Sequence, residues 1–441
     1  MKISKTLIPV VVLWVCIANV YAQDWPQYLG PDRNSISNQK GILRSWPQNG
    51  PKILWTADIG VGFAGPAVKD GKVYLLDRND EVGDNMRCLD LSTGKDLWNF
   101  NYEAPGSVMF PGSRSVPVVD GNHVYSCGPF GHLYCIDTNT HKPVWNKNVW
   151  KDFGGEEIPT WAITQCPLVY GDLLILASQA PRAGVVAYEK LNGHVKWKTP
   201  SLGSVGYVSP AIVKIGGEDH VVMITASERG GQGGSGGKGK VVGISPLTGK
   251  ILWEYANWDC MIPVPGAVDA GDNKVLIAGG YELGTVMIKV EKKADGSYTT
   301  KELFKTVEFG DHTKPPLLYK GYFYAQYGTN NRRDGLACMS MDGRIMWKTK
   351  RSPDFNKGSM ILADGLLLAT NGAKMLYLIE PDPSEFKPIA SAELLKEGGT
   401  SNDPMASRVG GTTQNWAPLA LADGKLLIRD QHRLLCVKVA Q

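Results

Sequence analysis

The sequence predicts an all-β chain: an eight-bladed β-propeller of four-stranded blades, with its ring closed by a strand from near the N-terminus. Three observations predict it. A unit of four short strands recurs along the chain, and a glycine-bearing turn joins its first two strands. Most units end on tryptophan. The last unit lacks a fourth strand, and an unmatched fourth-strand pattern stands ahead of the first unit.

The first element is an address rather than part of the fold. Lys2 and Lys5 precede an apolar run from Thr6 to Val20, and Val20-Tyr21-Ala22 offers small residues at the cleavage positions before Gln23. This is the pattern of a secretory signal peptide, and the run is short for a membrane span. Val15 before Cys16 is a poor lipobox. The expected division is a signal peptide over 1–22, a leader over 23–51 and the propeller over 52–441. The mature chain is expected to be exported, periplasmic or secreted, with no integral membrane segment after cleavage, and monomeric.

Lys52-Ile-Leu-Trp55 comes next and has the fourth-strand pattern. First strands then start near Pro66, Pro117, Pro167, Pro210, Pro263, Pro316, Ser359 and Pro418. Their turns end on Gly71, Gly121, Gly171, Gly217, Gly271, Gly321, Gly365 and Gly424, and glycine accepts the positive φ that tight hairpins require. Third strands include Cys88-Leu-Asp90, Cys135-Ile-Asp137, Cys338-Met-Ser340 and Cys436-Val-Lys438. Turns such as Thr93-Gly94-Lys95 and Thr248-Gly249-Lys250 lead to fourth strands ending on Trp98, Trp145, Trp197, Trp253 and Trp347. Units five and seven are degenerate. The eighth stops after its third strand, so Trp55's strand is available to complete it and to remove exposed sheet edges.

Composition agrees and excludes some functions. Gly 51, Pro 27, Trp 13 and Tyr 17 suit strands joined by many tight turns. With 47 basic against 43 acidic side chains, and two lysines lost with the signal peptide, a nucleic-acid coat is not expected. Cysteines at equivalent positions of different blades lie too far apart to pair, so they read as small apolar filler. No Cys-x-x-Cys occurs, and no metal site is expected.

Leu133-Tyr-Cys-Ile-Asp137, the Thr-Gly-Lys turns and the terminal tryptophans together resemble the pyrroloquinoline-quinone (PQQ)-like propeller repeats. Such repeats occur in quinoprotein alcohol dehydrogenases and in the propeller lipoprotein of the outer-membrane assembly machinery. The leader Trp25-Pro-Gln-Tyr-Leu-Gly-Pro-Asp-Arg-Asn34 resembles one found in exported bacterial members. The resemblance covers nearly the whole mature chain and implies fold more than activity.

In a four-stranded blade, turns after strands one and three share one face, and loops after strands two and four share the other. The first set here is short and stereotyped, so variation on the second face marks the functional side. His123, His220, His141 and His194 fall in the stereotyped turns and read as solvated. His312 lies where the chain leads into blade six. The expected catalytic set is His312 as base, Tyr207 as acid, and Arg114 or Arg408 as carboxylate neutraliser. Lys314, Trp161, Trp258, Trp416, Asn415 and Arg332 are expected to bind substrate.

Three functions are weighed. The favoured one is a lyase cleaving uronate-containing acidic polysaccharide by β-elimination. There a cation lowers the C5 proton's pKa, a base removes that proton and an acid protonates the leaving oxygen. The acidic polysaccharide or oligosaccharide would be the partner, with no cofactor. A second is a non-enzymatic binding or scaffold propeller. The third is a PQQ-dependent alcohol or sugar dehydrogenase. The resemblance implies for it a calcium-held cofactor, a catalytic Asp and often adjacent cysteines, and this chain has no Cys-Cys pair.

Overall fold

The computed structural model describes residues 23–227, 238–328, 333–395 and 414–441. Signal-peptide residues 1–22, Arg332 and Arg408 lie outside these. The described strands form eight sheets, each built on four antiparallel strands, around a common axis. Blade one is Ala67–Lys69, Lys72–Asn79, Gly83–Asp90 and Asp96–Glu103, with the first strand innermost. The eighth sheet takes its outer strand from Ile53–Asp58, which pairs antiparallel with Arg433–Lys438, setting Trp55 opposite Cys436. That contact closes the ring as the sequence predicts. Among the described residues no helix is long and apolar enough to cross a membrane.

The Thr-Gly-Lys turns and the terminal tryptophans prove to be two halves of one joint. Trp145 donates its indole N–H to the Lys190 carbonyl at 2.9 Å and Trp197 to Pro246 at 3.0 Å, each in the following blade. Trp55 reaches Leu91 at 2.9 Å, so the joint also spans the closure from blade eight to blade one. Each ring lies on the glycine of that turn. A Cβ on Gly249 would stand 2.5 Å from Trp197, and the glycine's φ of +73° independently disfavours a side chain. At blade two the turn residue is His141, which stacks flat on Trp98 with centroids 4.9 Å apart.

Cysteines fill the space opposite these rings. Cys88, Cys135, Cys338 and Cys436 pair across the strands with Trp98, Trp145, Trp347 and Trp55. All four are buried and free, and burial pushes each thiol up to about 12.

Two local expectations are corrected. His220 is not a solvated turn residue: it is fully buried in Glu218–Ile224, where its Nδ1 accepts the Trp253 indole N–H at 2.9 Å. Blade five's first strand is Val268–Asp269 rather than one starting beside Pro263, because Pro263 and Pro265 belong to the segment leading into it. Units five and seven, degenerate in sequence, keep four strands each, with Phe304 lying on the Gly343 turn in place of tryptophan.

Candidate functional site

Each blade's innermost strand is reached through a short segment at the axis. Phe63, Arg114, Thr164, Ser209, Val264, Lys314, Lys357 and Trp416 stand seven or eight positions ahead of Gly71, Gly121, Gly171, Gly216, Gly271, Gly321, Gly365 and Gly424. These eight residues, one per blade, line a single cavity of about 210 Å³ on the variable face. Tyr28, Phe110, Trp161, Cys166, Tyr207, Tyr281 and His312 complete most of its wall.

One side is aromatic. Trp416 stacks on Phe63 with centroids 5.4 Å apart and planes 22° apart, and Phe110 lies 5.9 Å from Trp416. Across the cavity Trp161 and Tyr207 meet edge to face at 5.4 Å. The Tyr207 hydroxyl accepts the Trp161 backbone N–H at 3.5 Å, and burial raises its phenol above the usual range.

The cations come from blades two, six and seven. The Lys357 ammonium sits 4.3 Å from the Trp416 ring centroid, in cation–π range. Lys314 donates to the Trp416 carbonyl at 2.6 Å and to Thr313 Oγ1 at 3.2 Å. It is presented by a local turn in which Asp311 Oδ1 accepts the backbone N–H groups of Thr313 and Lys314, while Oδ2 accepts that of Gln326. Arg114 Nη2 donates to the Met109 and Phe110 carbonyls, and its buried Nη1 has no hydrogen-bond partner.

Removal from water weakens every charge here. Burial lowers Lys314 to about 8 and Lys357 to about 8, and Arg114 to about 10. Burial raises Asp311 to about 6. His312 is lowered to about 3, by burial first and then by Lys357 and Lys314, so its imidazole is neutral at pH 7. It packs 4.6 Å from Tyr281 and directly on Gly280, where a Cβ would meet Nδ1 at 2.6 Å. Among the described residues no carboxylate lines the cavity, and no group of three His, Cys, Asp or Glu could hold a metal ion.

Of the ten residues singled out from sequence, six share this wall: His312, Tyr207, Arg114, Lys314, Trp161 and Trp416. Trp258 does not. It is fully buried in the core between blades four and five. Asn415 is also fully buried, and its amide donates to the Arg429 carbonyl at 3.0 Å, fixing the chain just before Trp416. Phe63, Phe110, Lys357, Tyr28 and Tyr281 complete the charged and aromatic set. Counting back from each turn glycine would have found Phe63 and Lys357; nothing in the repeat points to Phe110.

Known proteins agree with this architecture. Residues 83–259 match the family described as "Outer membrane protein assembly factor BamB". No curated protein matches the chain. Among solved structures, a europium-containing methanol dehydrogenase superposes with TM-score 0.65 at 13% identity, covering 92% of this chain and 89% of that one. The quinohemoprotein alcohol dehydrogenase of Comamonas testosteroni gives 0.62 at 13% identity, over 95% of this chain and 81% of that one. BamB of Moraxella catarrhalis gives 0.53 at 9% identity, over 88% and 99%. At such identities these structures speak to fold alone. The repeat match over residues 83–259 and the eight-bladed fold are consistent with the PQQ-like β-propeller family that the sequence resembles.

Proposed function

We propose that this propeller is a ligand-binding protein whose axial cavity takes a small anion with a planar or apolar body. The observation that carries the reading is three cations, Arg114, Lys314 and Lys357, in an aromatic wall to which no described residue adds a carboxylate. Buried positive charge is costly; Asp311 behind the wall offsets part of the Lys314 charge, and a ligand carboxylate, sulfate or phosphate would supply the counter-charge that the wall itself lacks. Trp416 and Phe63 offer the face for the ligand's body.

This supports the binding alternative over β-elimination. The family and the solved structures named above are named for outer-membrane assembly and alcohol oxidation. A cavity of about 210 Å³ suits a small molecule better than a polymer strand. A calcium-held quinone does not fit either. Its planar carboxylates would suit the cations, but the ion needs several oxygen ligands, and no described carboxylate lines the cavity. The signal-peptide lysines and apolar run support export, which would bring the cavity to ligands outside the cytoplasm.

Tryptophan fluorescence tests the reading. PQQ without calcium, 2-naphthoate, a uronate trisaccharide and inorganic phosphate are titrated separately. Saturable quenching by a planar carboxylate, weakened by salt, is expected. No response to any of them in folded protein would refute it.

A further inference from the structure

The leader Trp25–Asn34 is the one sequence motif that the repeat does not explain, and the structure lays it across the opposite end of the axial channel. Trp25 exchanges backbone hydrogen bonds with Val68 of blade one at 2.9 and 2.8 Å, and the Pro26 carbonyl accepts Val119 N–H of blade two at 2.8 Å. The Arg33 guanidinium reaches the Pro167 carbonyl of blade three at 3.0 Å and that of Pro210 in blade four at 3.3 Å. Ile36–Ser37 then runs parallel to the inner strand of blade seven, opposite Leu362 and Ala363. One short segment is thus tied to five blades.

Its conformation is specialised. Leu29, Arg33 and Ser35 all adopt positive φ, at 61°, 53° and 61°, which side-chain-bearing residues rarely do. Backbone bonds from Ser35 to Leu29 at 2.9 Å and from Arg33 to Gly30 at 3.1 Å hold the coil. The coil carries Tyr28 inward. Arg33 braces the phenol from its own side, 5.5 Å from the ring centroid.

Beyond the leader lies a second cavity of about 450 Å³, bounded by the leader and the inner strands of blades three to six. Tyr28 and Ser209 are the two residues common to both walls. Serine is small, so Tyr28 is the larger part of the shared wall.

We propose that Tyr28 is the specificity-determining residue of the axial site: the leader is a plug, and the Tyr28 ring is the floor that limits ligand length. The inference rests on the ligand-binding reading above. With the floor in place the cavity ends at the phenol, and a ligand anchored by Lys314 and Lys357 extends only that far. With the ring removed the two cavities join, and the same anchor admits a longer body.

The test uses the full chain with Tyr28→Ala, Tyr28→Leu and Tyr28→Phe, and benzoate, 2-naphthoate and biphenyl-4-carboxylate as probes in titration calorimetry. Tyr28→Ala is expected to raise the affinity for biphenyl-4-carboxylate relative to benzoate by about tenfold or more, since newly buried apolar length carries that scale of discrimination. Tyr28→Leu gives a smaller rise and serves if the alanine variant does not fold. Tyr28→Phe keeps the ring and the wild-type order. An unchanged ratio in folded Tyr28→Ala or Tyr28→Leu overturns the proposal. If wild-type protein binds none of the three probes, the ligand-binding reading fails, and a crystal structure of the variant decides the floor separately. One continuous channel upholds it, and a leader that shifts to refill the gap overturns it.

Discussion

Raising the pH should weaken anion binding and strengthen the ligand-free fold at the same time. Lys314 and Lys357 each sit near a pKa of about 8, lowered by burial. Between about pH 7 and about pH 9 each ammonium goes from about nine-tenths charged to about one-tenth. A carboxylate that needs both charges therefore loses about tenfold per lysine, about 100-fold together, which is about 2.7 kcal/mol. Stability moves the other way. An unfolded lysine titrates near about 10.4, so between the two pKa values the unfolded chain holds more protons than the folded one, and unfolding free energy rises with pH. Calorimetry at pH 7, 8 and 9 with 2-naphthoate, in buffers of different ionisation enthalpy, measures both the affinity and the protons taken up. Proton uptake on binding should rise through about pH 8 and approach one proton per lysine near about pH 9. An affinity that is flat across this range, with no proton uptake, would refute the reasoning. So would a Lys314→Met variant whose unfolding free energy follows the wild-type pH profile between pH 8 and 10.

Two further outcomes concern the fold. Trp197→Phe leaves the Pro246 carbonyl unpaired beneath a buried ring and should cost about 1–3 kcal/mol in urea unfolding. Gly249→Ala attacks the same joint from the other side, through a Cβ clash with Trp197 and a φ of +73°, and should cost about 1–3 kcal/mol. Coupling between the two substitutions in a double-mutant cycle checks that they act on one contact. The seven described cysteines, all buried and free, should react slowly with a thiol reagent in native protein and fully once it is unfolded in denaturant.

How much of this was legible in the sequence depended on periodicity. The turn glycines and terminal tryptophans recur, so blade count and the Trp55 closure could be read directly. The lead-in residues also keep a distance of seven or eight positions from each turn, which places Arg114, Lys314 and Trp416 together; Tyr207 stands two positions ahead of that place in blade four. Trp258 lies in such a segment, but it packs inward between two blades. Spacing gives position along the chain and not the direction in which a side chain points. His220 differs for a related reason: its turn ends at Gly217, three residues before the histidine, which therefore lies inside the strand Glu218–Ile224. The leader carries no period at all. Its place across the channel follows from bonds between residues more than 100 positions apart, such as Arg33 to Pro167, and no local pattern encodes those.

The central claim is that the axial cavity selects negative charge on a planar body. Titration calorimetry comparing naphthalene-2,6-dicarboxylate with its neutral diamide, on wild-type protein and on Lys314→Met/Lys357→Met, tests it most directly. The account predicts saturable binding of the dicarboxylate, about tenfold or more weaker in the double variant, and far weaker binding of the diamide to either protein. Equal binding of the two compounds, or dicarboxylate binding untouched by the double substitution, would contradict it.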